Sequence, residues 1–191
     1  SLESIKGLKM RIPGIGGEVF KRAGGVPVNI PGGELYTALQ TGVIDATEWV
    51  GPYNDLAFGF QQIAKHYYFP GWHEPGSMLE FIINLDAWNE LPTHLQSIVK
   101  TAAKAVNQDL LDEYTAMNNQ ALRELIDVHN VQLKKLPDDV INEFRVISKS
   151  VLDEIAENDN QFKSIYESYL KFKSEVVSYH EISEDAYTKI R

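Results

Sequence analysis

The stretch Ile44-Asp45-Ala46-Thr47-Glu48-Trp49-Val50-Gly51-Pro52-Tyr53-Asn54-Asp55 decides how the rest of this chain is read. Val43, Ile44 and Ala46 form a short apolar approach, and residues 43–47 read as a strand. That strand delivers one carboxylate and one indole, Glu48 and Trp49, before Gly51-Pro52 turns the chain. Pro52 or Asp55 can open a following helix. The end of such a strand is where an α/β protein places ligand chemistry. Taken alone, the same residues would equally suit an edge-strand glutamate beside a half-buried tryptophan.

Upstream, residues 8–12 read as a strand ended by Pro13-Gly14, and Gly16-Gly17 with residues 18–22 as a helix stopping at Gly24-Gly25. Residues 26–30 form a second strand. Pro31-Gly32-Gly33 then leads into a helix over 34–40, capped by Gly42. Strand–helix–strand–helix–strand with short connections predicts βαβ units and a parallel sheet.

Downstream, residues 57–65 read as helix, and 67–69 and 78–84 as strands. Between those strands lies Pro70-Gly71-Trp72-His73-Glu74-Pro75-Gly76, where glycines and prolines constrain the backbone carrying a lone acid. Ala103, Val106, Leu110, Tyr114, Met117, Ala121, Leu125 and Val128 then make a helical stripe, with no Pro or Gly from Thr93 to Val128. Such a helix reaches roughly 50 Å, so its stripe needs a second domain or another subunit to lean on. Residues 131–136 suggest one more strand. Residues 138–157 form an amphipathic helix with Val140, Phe144, Ile147, Val151 and Ile155 on one face. Asn158-Asp159-Asn160 breaks it, and 162–177 and 183–190 are further helical stretches.

The composition removes several classes of function. The net charge is −9 and no Lys/Arg cluster rises above the acidic background, which argues against nucleic acid as a partner. A small anion stays compatible, because one buried arginine can hold a carboxylate inside an acidic protein. With no cysteine there is no zinc–thiolate site, disulfide or thiol nucleophile. Pro13-Gly14-Ile15-Gly16-Gly17 lacks the Gly-Lys-Ser/Thr of a phosphate loop, and Val19 stands where a dinucleotide motif needs glycine. His66, His73, His94, His129 and His180 show no metal-binding spacing. His73 and Glu74, as neighbours on extended backbone, would point to opposite faces. No serine sits in a nucleophile elbow, and no catalytic constellation emerges. No run of about 18 apolar residues occurs. The chain opens Ser1-Leu2-Glu3-Ser4 without an initiator methionine or the apolar core of a signal peptide, so either its start has been removed or it is part of a longer protein.

Gly7-Leu8-Lys9-Met10-Arg11-Ile12 and Gly33-Glu34-Leu35-Tyr36-Thr37-Ala38-Leu39-Gln40-Thr41-Gly42-Val43-Ile44-Asp45-Ala46, in that order, resemble the extracytoplasmic solute receptors of TRAP transporters, the DctP-like family. The likeness runs through nearly the whole chain. It implies two periplasmic-binding-protein-like α/β lobes bridged by a very long helix, with the ligand between them. On that pattern residues 1–91 are the second lobe, a parallel-rich mixed sheet with helices. Residues 92–129 are then the bridging helix, and 130–191 a strand and C-terminal helices packing on a lobe or on a partner subunit. The first lobe and signal peptide would precede residue 1, and the location would be periplasmic.

Most members follow Asp-Ala or Asp-Gly with Gln-Glu-Asn, whereas here Thr47-Glu48-Trp49-Val50-Gly51-Pro52-Tyr53 follows, with Gly71-Trp72-His73-Glu74 further on. This resembles the family's 2-oxo acid receptors, which hold a metal ion beside the substrate. The resemblance implies Glu48 as a carboxylate ligand through both oxygens, Trp49 through its backbone carbonyl, and Glu74 as a second carboxylate. A glutamine would come from the other lobe, and Arg11 would pair with the substrate carboxylate. Tyr53, Asn54 and Trp72 stand where they could line the pocket; Asn54 joins Arg11, Glu48 and Trp49 as ligand-binding, though aromatics around a turn also serve packing. Hard oxygen donors suit Na⁺ or Ca²⁺. The cation would also offset the repulsion between two acids and an anionic ligand.

The expected function is therefore capture of a small 2-oxo or 2-hydroxy monocarboxylate with a metal ion, without catalysis and without a catalytic cofactor. The membrane subunits of the transporter would be partners, and a homodimer through C-terminal helices is permitted. A metal-independent dicarboxylate or sugar-acid receptor is the alternative within this class. Outside it stand a metal-assisted lyase or isomerase with Glu48 as base, and a helical scaffold with solvated Glu48 and Glu74.

Overall fold

The computed structural model describes every residue except Ser77 and Met78. The chain forms two compact units, Ser1–Ile141 and Asn142–Arg191. The first contains α1 (Leu2–Ile5), β1 (Lys9–Arg11), α2 (Gly14–Arg22), β2 (Val26–Val28), α3 (Leu35–Gln40), β3 (Ala46–Thr47), α4 (Pro52–Ala57), β4 (His66–Phe69), α5 (Leu85–Glu90), α6 (Thr93–Asp127) and β5 (Gln132–Lys135). The helix α7 (Asp138–Asn158) begins in this unit and continues into the second, which also holds α8 (Asn160–Ile182) and α9 (Glu184–Ile190). The class is α/β, as expected, and the described strands form two parallel sheets.

In the first sheet the order is β2-β1-β3, so β1 is central and parallel to both neighbours. Pro27 lies in the edge strand β2, the place where a residue without an N–H costs least. Leu35, Ala38, Ile44 and Phe60 form a buried cluster, with Val28, Ile30, Leu39, Trp49 and Ile63 packed against it. The apolar face of α3 and the approach to β3 thus close one side of the sheet. Ile12, Val19 and Phe20 are also buried, Val19 and Phe20 on α2.

The second sheet pairs β4 with β5 in parallel, His66 opposite Gln132 and Phe69 opposite Lys135. No strand pairing joins the two sheets among the described residues.

Two expectations are corrected. The helix over 57–65 is replaced by α4, which has Pro52 in its first turn and ends at Ala57. Gly59 then takes φ +77, a conformation glycine adopts without strain, and only a short 3-10 turn follows at Phe60–Gln62. The strand over 78–84 does not form across 79–84, and Met78 lies outside the described residues. Leu79, Phe81 and Ile82 are exposed there, since an apolar run becomes a strand only where a neighbouring strand takes its hydrogen bonds. The short helices α1 and α5 were not foreseen; Asn84 caps α5 by accepting from the Ala87 N–H at 3.1 Å.

The long helix α6 is continuous over 35 residues. Its apolar stripe is buried only near the C-terminal end, at Ala121 and Leu125, while Val106 is exposed. In the second unit Phe144 and Val151 are buried on one face of α7. Asp159 both breaks α7 from α8 and caps α8, its side chain accepting from the Gln161 and Phe162 N–H groups. No helix among the described residues is long and apolar enough to cross a membrane.

Candidate functional site

The register of the first sheet builds the site. Arg11 ends β1 opposite Thr47 of β3, and the Glu48 N–H donates to the Arg11 carbonyl at 3.3 Å. Arg11 and Glu48 therefore leave the sheet side by side at its carboxyl edge. From β1 the chain passes to β2 on one flank, and then to β3 on the other. A parallel sheet opens a ligand crevice at such a reversal of strand order.

Arg11 Nη1 donates to Glu48 Oε1 in an ion pair whose side chains are only 14% and 13% exposed. Arg11 Nε donates to the Ile30 carbonyl at 3.3 Å. The guanidinium also lies 5.5 Å from the centre of the Trp49 ring, within cation–π range. Trp49 in turn packs on Phe58 with ring centres 5.0 Å apart. Its ring passes so close to Gly32 that a Cβ there would meet Trp49 at 2.4 Å, which excludes any other residue without movement. The Trp49 indole Nε1 is buried and has no hydrogen-bond partner among the described residues.

The loop after β4 meets this edge. His73 Nε2 stands 3.7 Å from Glu48 Oε2, and ligand-type atoms of Glu48, His73 and Glu74 lie within 4.8 Å of one another. Glu48 and Glu74, 26 positions apart in sequence, are thus brought together with His73 between strand ends of different sheets. Residues 71–76 are bends and loop, not extended backbone, so consecutive side chains are not forced to opposite faces. The sequence reading of His73 and Glu74 as diverging is corrected on that ground. His73 was also absent from the expected ligand set.

This donor set fits a cation. Two carboxylates at such range repel when both are ionised, and a bound positive charge removes that cost. Carboxylate oxygens suit Na⁺ or Ca²⁺; the imidazole of His73 widens the set towards transition metals.

Asn54 sits apart from the carboxylates: its Nδ2 donates to the Tyr114 hydroxyl of α6 at 3.3 Å, and its buried Oδ1 has no partner among the described residues. Tyr53 also ties to α6, its hydroxyl donating to Glu113 at 3.1 Å and its N–H to Asn118 Oδ1 at 2.9 Å. The hydrogen bond to Glu113 raises the Tyr53 pKa. The turn carrying Glu48 and Trp49 is therefore anchored to the long helix through α4.

A buried acid lies just behind the turn. Asp55 is 8% exposed, accepts a 2.6 Å hydrogen bond from the Tyr67 hydroxyl through Oδ2, and accepts from the Val50 N–H at 3.5 Å through Oδ1. Burial pushes the Asp55 carboxyl up despite these donors, with the charge of Glu48 adding to the rise. Burial first, then the Asp55 charge, raises Tyr67 as well. The sequence reading treated Asp55 only as a helix opener. Its contact with Tyr67 has no local pattern that would signal it.

Residues 1–159 match the family model described as DctP, bacterial extracellular solute-binding protein, family 7. The chain is 41% identical, over 187 residues, to a monocarboxylate 2-oxoacid-binding periplasmic protein of Nostoc sp. PCC 7120. That alignment takes in 98% of this chain and 51% of the relative. A TRAP periplasmic solute-binding protein from Colwellia psychrerythraea, solved with calcium and pyruvate, superposes at a TM-score of 0.94 with 42% identity, covering 99% of this chain and 58% of that one. Another from Pseudoalteromonas atlantica, solved with sodium and pyruvate, also gives 0.94, with 38% identity over 100% of this chain and 58% of that one. The chain thus spans about half the length of the proteins it matches.

Proposed function

The chain belongs to the DctP family of bacterial extracellular solute-binding proteins, and from that premise we propose that it is the cation-holding half of a TRAP receptor for a small 2-oxo or 2-hydroxy monocarboxylate. The observation that carries this reading is the convergence of Glu48, Glu74 and Arg11 at one sheet edge. Glu48 and Glu74 would hold Na⁺ or Ca²⁺, with the Trp49 carbonyl as a further oxygen. The bound cation would supply positive charge against which a carboxylate and its neighbouring oxygen can settle. Arg11 is the second carboxylate partner: a guanidinium has five donors, and the contacts to Ile30 and Glu48 engage two of its three nitrogens. Trp49, fixed over Arg11, would wall the ligand from water.

A first lobe, N-terminal to this chain, would close over the ligand on the α6 bridge. The exposed half of the α6 stripe supports such a neighbour. The receptor would act in the periplasm, deliver its ligand unchanged to membrane subunits, and perform no catalysis. Exposed Ile165, Tyr169, Phe172 and Tyr179 on α8 support pairing of two copies through C-terminal helices.

The test is a ligand panel on the two-lobed receptor. Pyruvate should bind at least about tenfold more tightly than a C4 dicarboxylate or a hexuronate, since one arginine and one cation satisfy a single carboxylate with its adjacent oxygen. NMR of the released ligand should return unchanged pyruvate. Tighter binding of the dicarboxylate or hexuronate would favour the metal-independent receptor, and consumption of pyruvate would favour a lyase or isomerase.

A further inference from the structure

The two carboxylates of the candidate cation site come from segments that share no sheet. Glu48 follows β3 of the first sheet; Glu74 follows β4 of the second. Their separation must be held by something other than strand pairing. The Asp55–Tyr67 contact spans this gap. Asp55 lies on α4, seven residues after Glu48, and Tyr67 lies in β4, seven residues before Glu74. We propose that Asp55 and Tyr67 are positioning residues, a buried brace that sets the distance between the Glu48–Trp49 turn and the His73–Glu74 loop.

The contacts support this role from both sides. The carboxylate of Asp55 accepts the Tyr67 hydroxyl at 2.6 Å through one oxygen and faces the Val50 N–H at 3.5 Å through the other. One side chain therefore links the backbone of the turn that carries Glu48 to the strand that launches the Glu74 loop. A carboxylate this buried is costly to retain, and a nonpolar residue of similar size would remove that cost. What the acid supplies that an apolar residue could not is a directed pair of acceptors, one for each segment. α4 itself is held on α6 by Tyr53 and Asn54, so Asp55 stands on a fixed base.

The proposal takes its purpose from the reading of Glu48 and Glu74 as cation ligands, but its geometry can be tested without any cation. Hydrogen exchange followed by mass spectrometry is measured in metal-free buffer on the wild-type protein, on Tyr67→Phe and on Asp55→Asn. Tyr67→Phe removes one hydroxyl and keeps the ring. It should speed exchange by about tenfold in peptides covering 48–51 and 70–76 together, with peptides of β1 and β2 unchanged. Asp55→Asn, which keeps one acceptor oxygen, should show a smaller rise in the same two segments. Unchanged exchange in both segments of Tyr67→Phe overturns the brace, as does a rise spread evenly over the whole chain. Calcium alone is then titrated into the same proteins, with Tyr67→Phe expected to bind about tenfold more weakly than wild type. Wild-type protein that takes up no calcium would refute the cation reading, and the exchange result would still decide the brace.

Discussion

Glu48→Gln should weaken pyruvate binding by roughly a hundredfold or more, the largest effect expected of any single substitution here. Glu48 serves two partners at once. One oxygen pairs with Arg11, and the other faces His73 within the group that includes Glu74. The amide keeps the shape but loses the charge. The candidate cation then has one carboxylate where it had two, and Arg11, only 14% exposed in its side chain, loses its counter-ion. Breaking a buried pair from one side costs several kcal/mol because the remaining charge stays desolvated. A freed Arg11 does not compensate, because it meets the ligand's carboxylate while the neighbouring 2-oxo oxygen loses its cation partner. Calorimetry on the two-lobed receptor reads this directly. Affinity within about threefold of wild type would remove Glu48 from the site, since loss of a charged partner at this burial should exceed about 2 kcal/mol.

Arg11→Lys should cost between about tenfold and a hundredfold, chiefly as faster ligand release. Charge is conserved, so long-range attraction of an anion is little changed. What is lost is the planar fork. In the structure that fork makes three kinds of contact at once, to the Ile30 carbonyl, to Glu48 and to the face of Trp49. A lysine ammonium is a point charge and would keep only one of them. Stopped-flow measurement should therefore show a nearly unchanged association rate at low salt and a raised dissociation rate. An association rate that falls in proportion to affinity would instead make Arg11 a steering charge.

How much of this was readable from the residues varies with the physics of each element. The helix α6 was legible because nothing between Thr93 and Val128 breaks it and its stripe keeps a helical period. Arg11 and Glu48 were singled out together by the family resemblance, and the βαβ order predicted only that the strands carrying them run parallel; the ion pair between them is seen only in the fold. The register that puts Arg11 opposite Thr47 is set by the packed sheet and was not readable from the residues. The apolar run over 79–84 looks like a strand in any sequence, and whether it becomes one depends on a neighbour that local pattern does not encode. His73 was misjudged because its reading assumed extended backbone, whereas bends there let it and Glu74 reach one group. The Asp55–Tyr67 contact joins residues 12 apart on separate elements. Only the three-dimensional fold reveals it.

A cation held by Glu48 and Glu74 should be part of how the ligand is bound. The most direct measurement is a pyruvate titration of the two-lobed receptor in sodium-free, EDTA-treated buffer, followed by the same titration after adding Ca²⁺ or Na⁺. Little or no binding heat is expected before the cation is restored, and a saturating isotherm after it. An unchanged dissociation constant in the stripped buffer would contradict it.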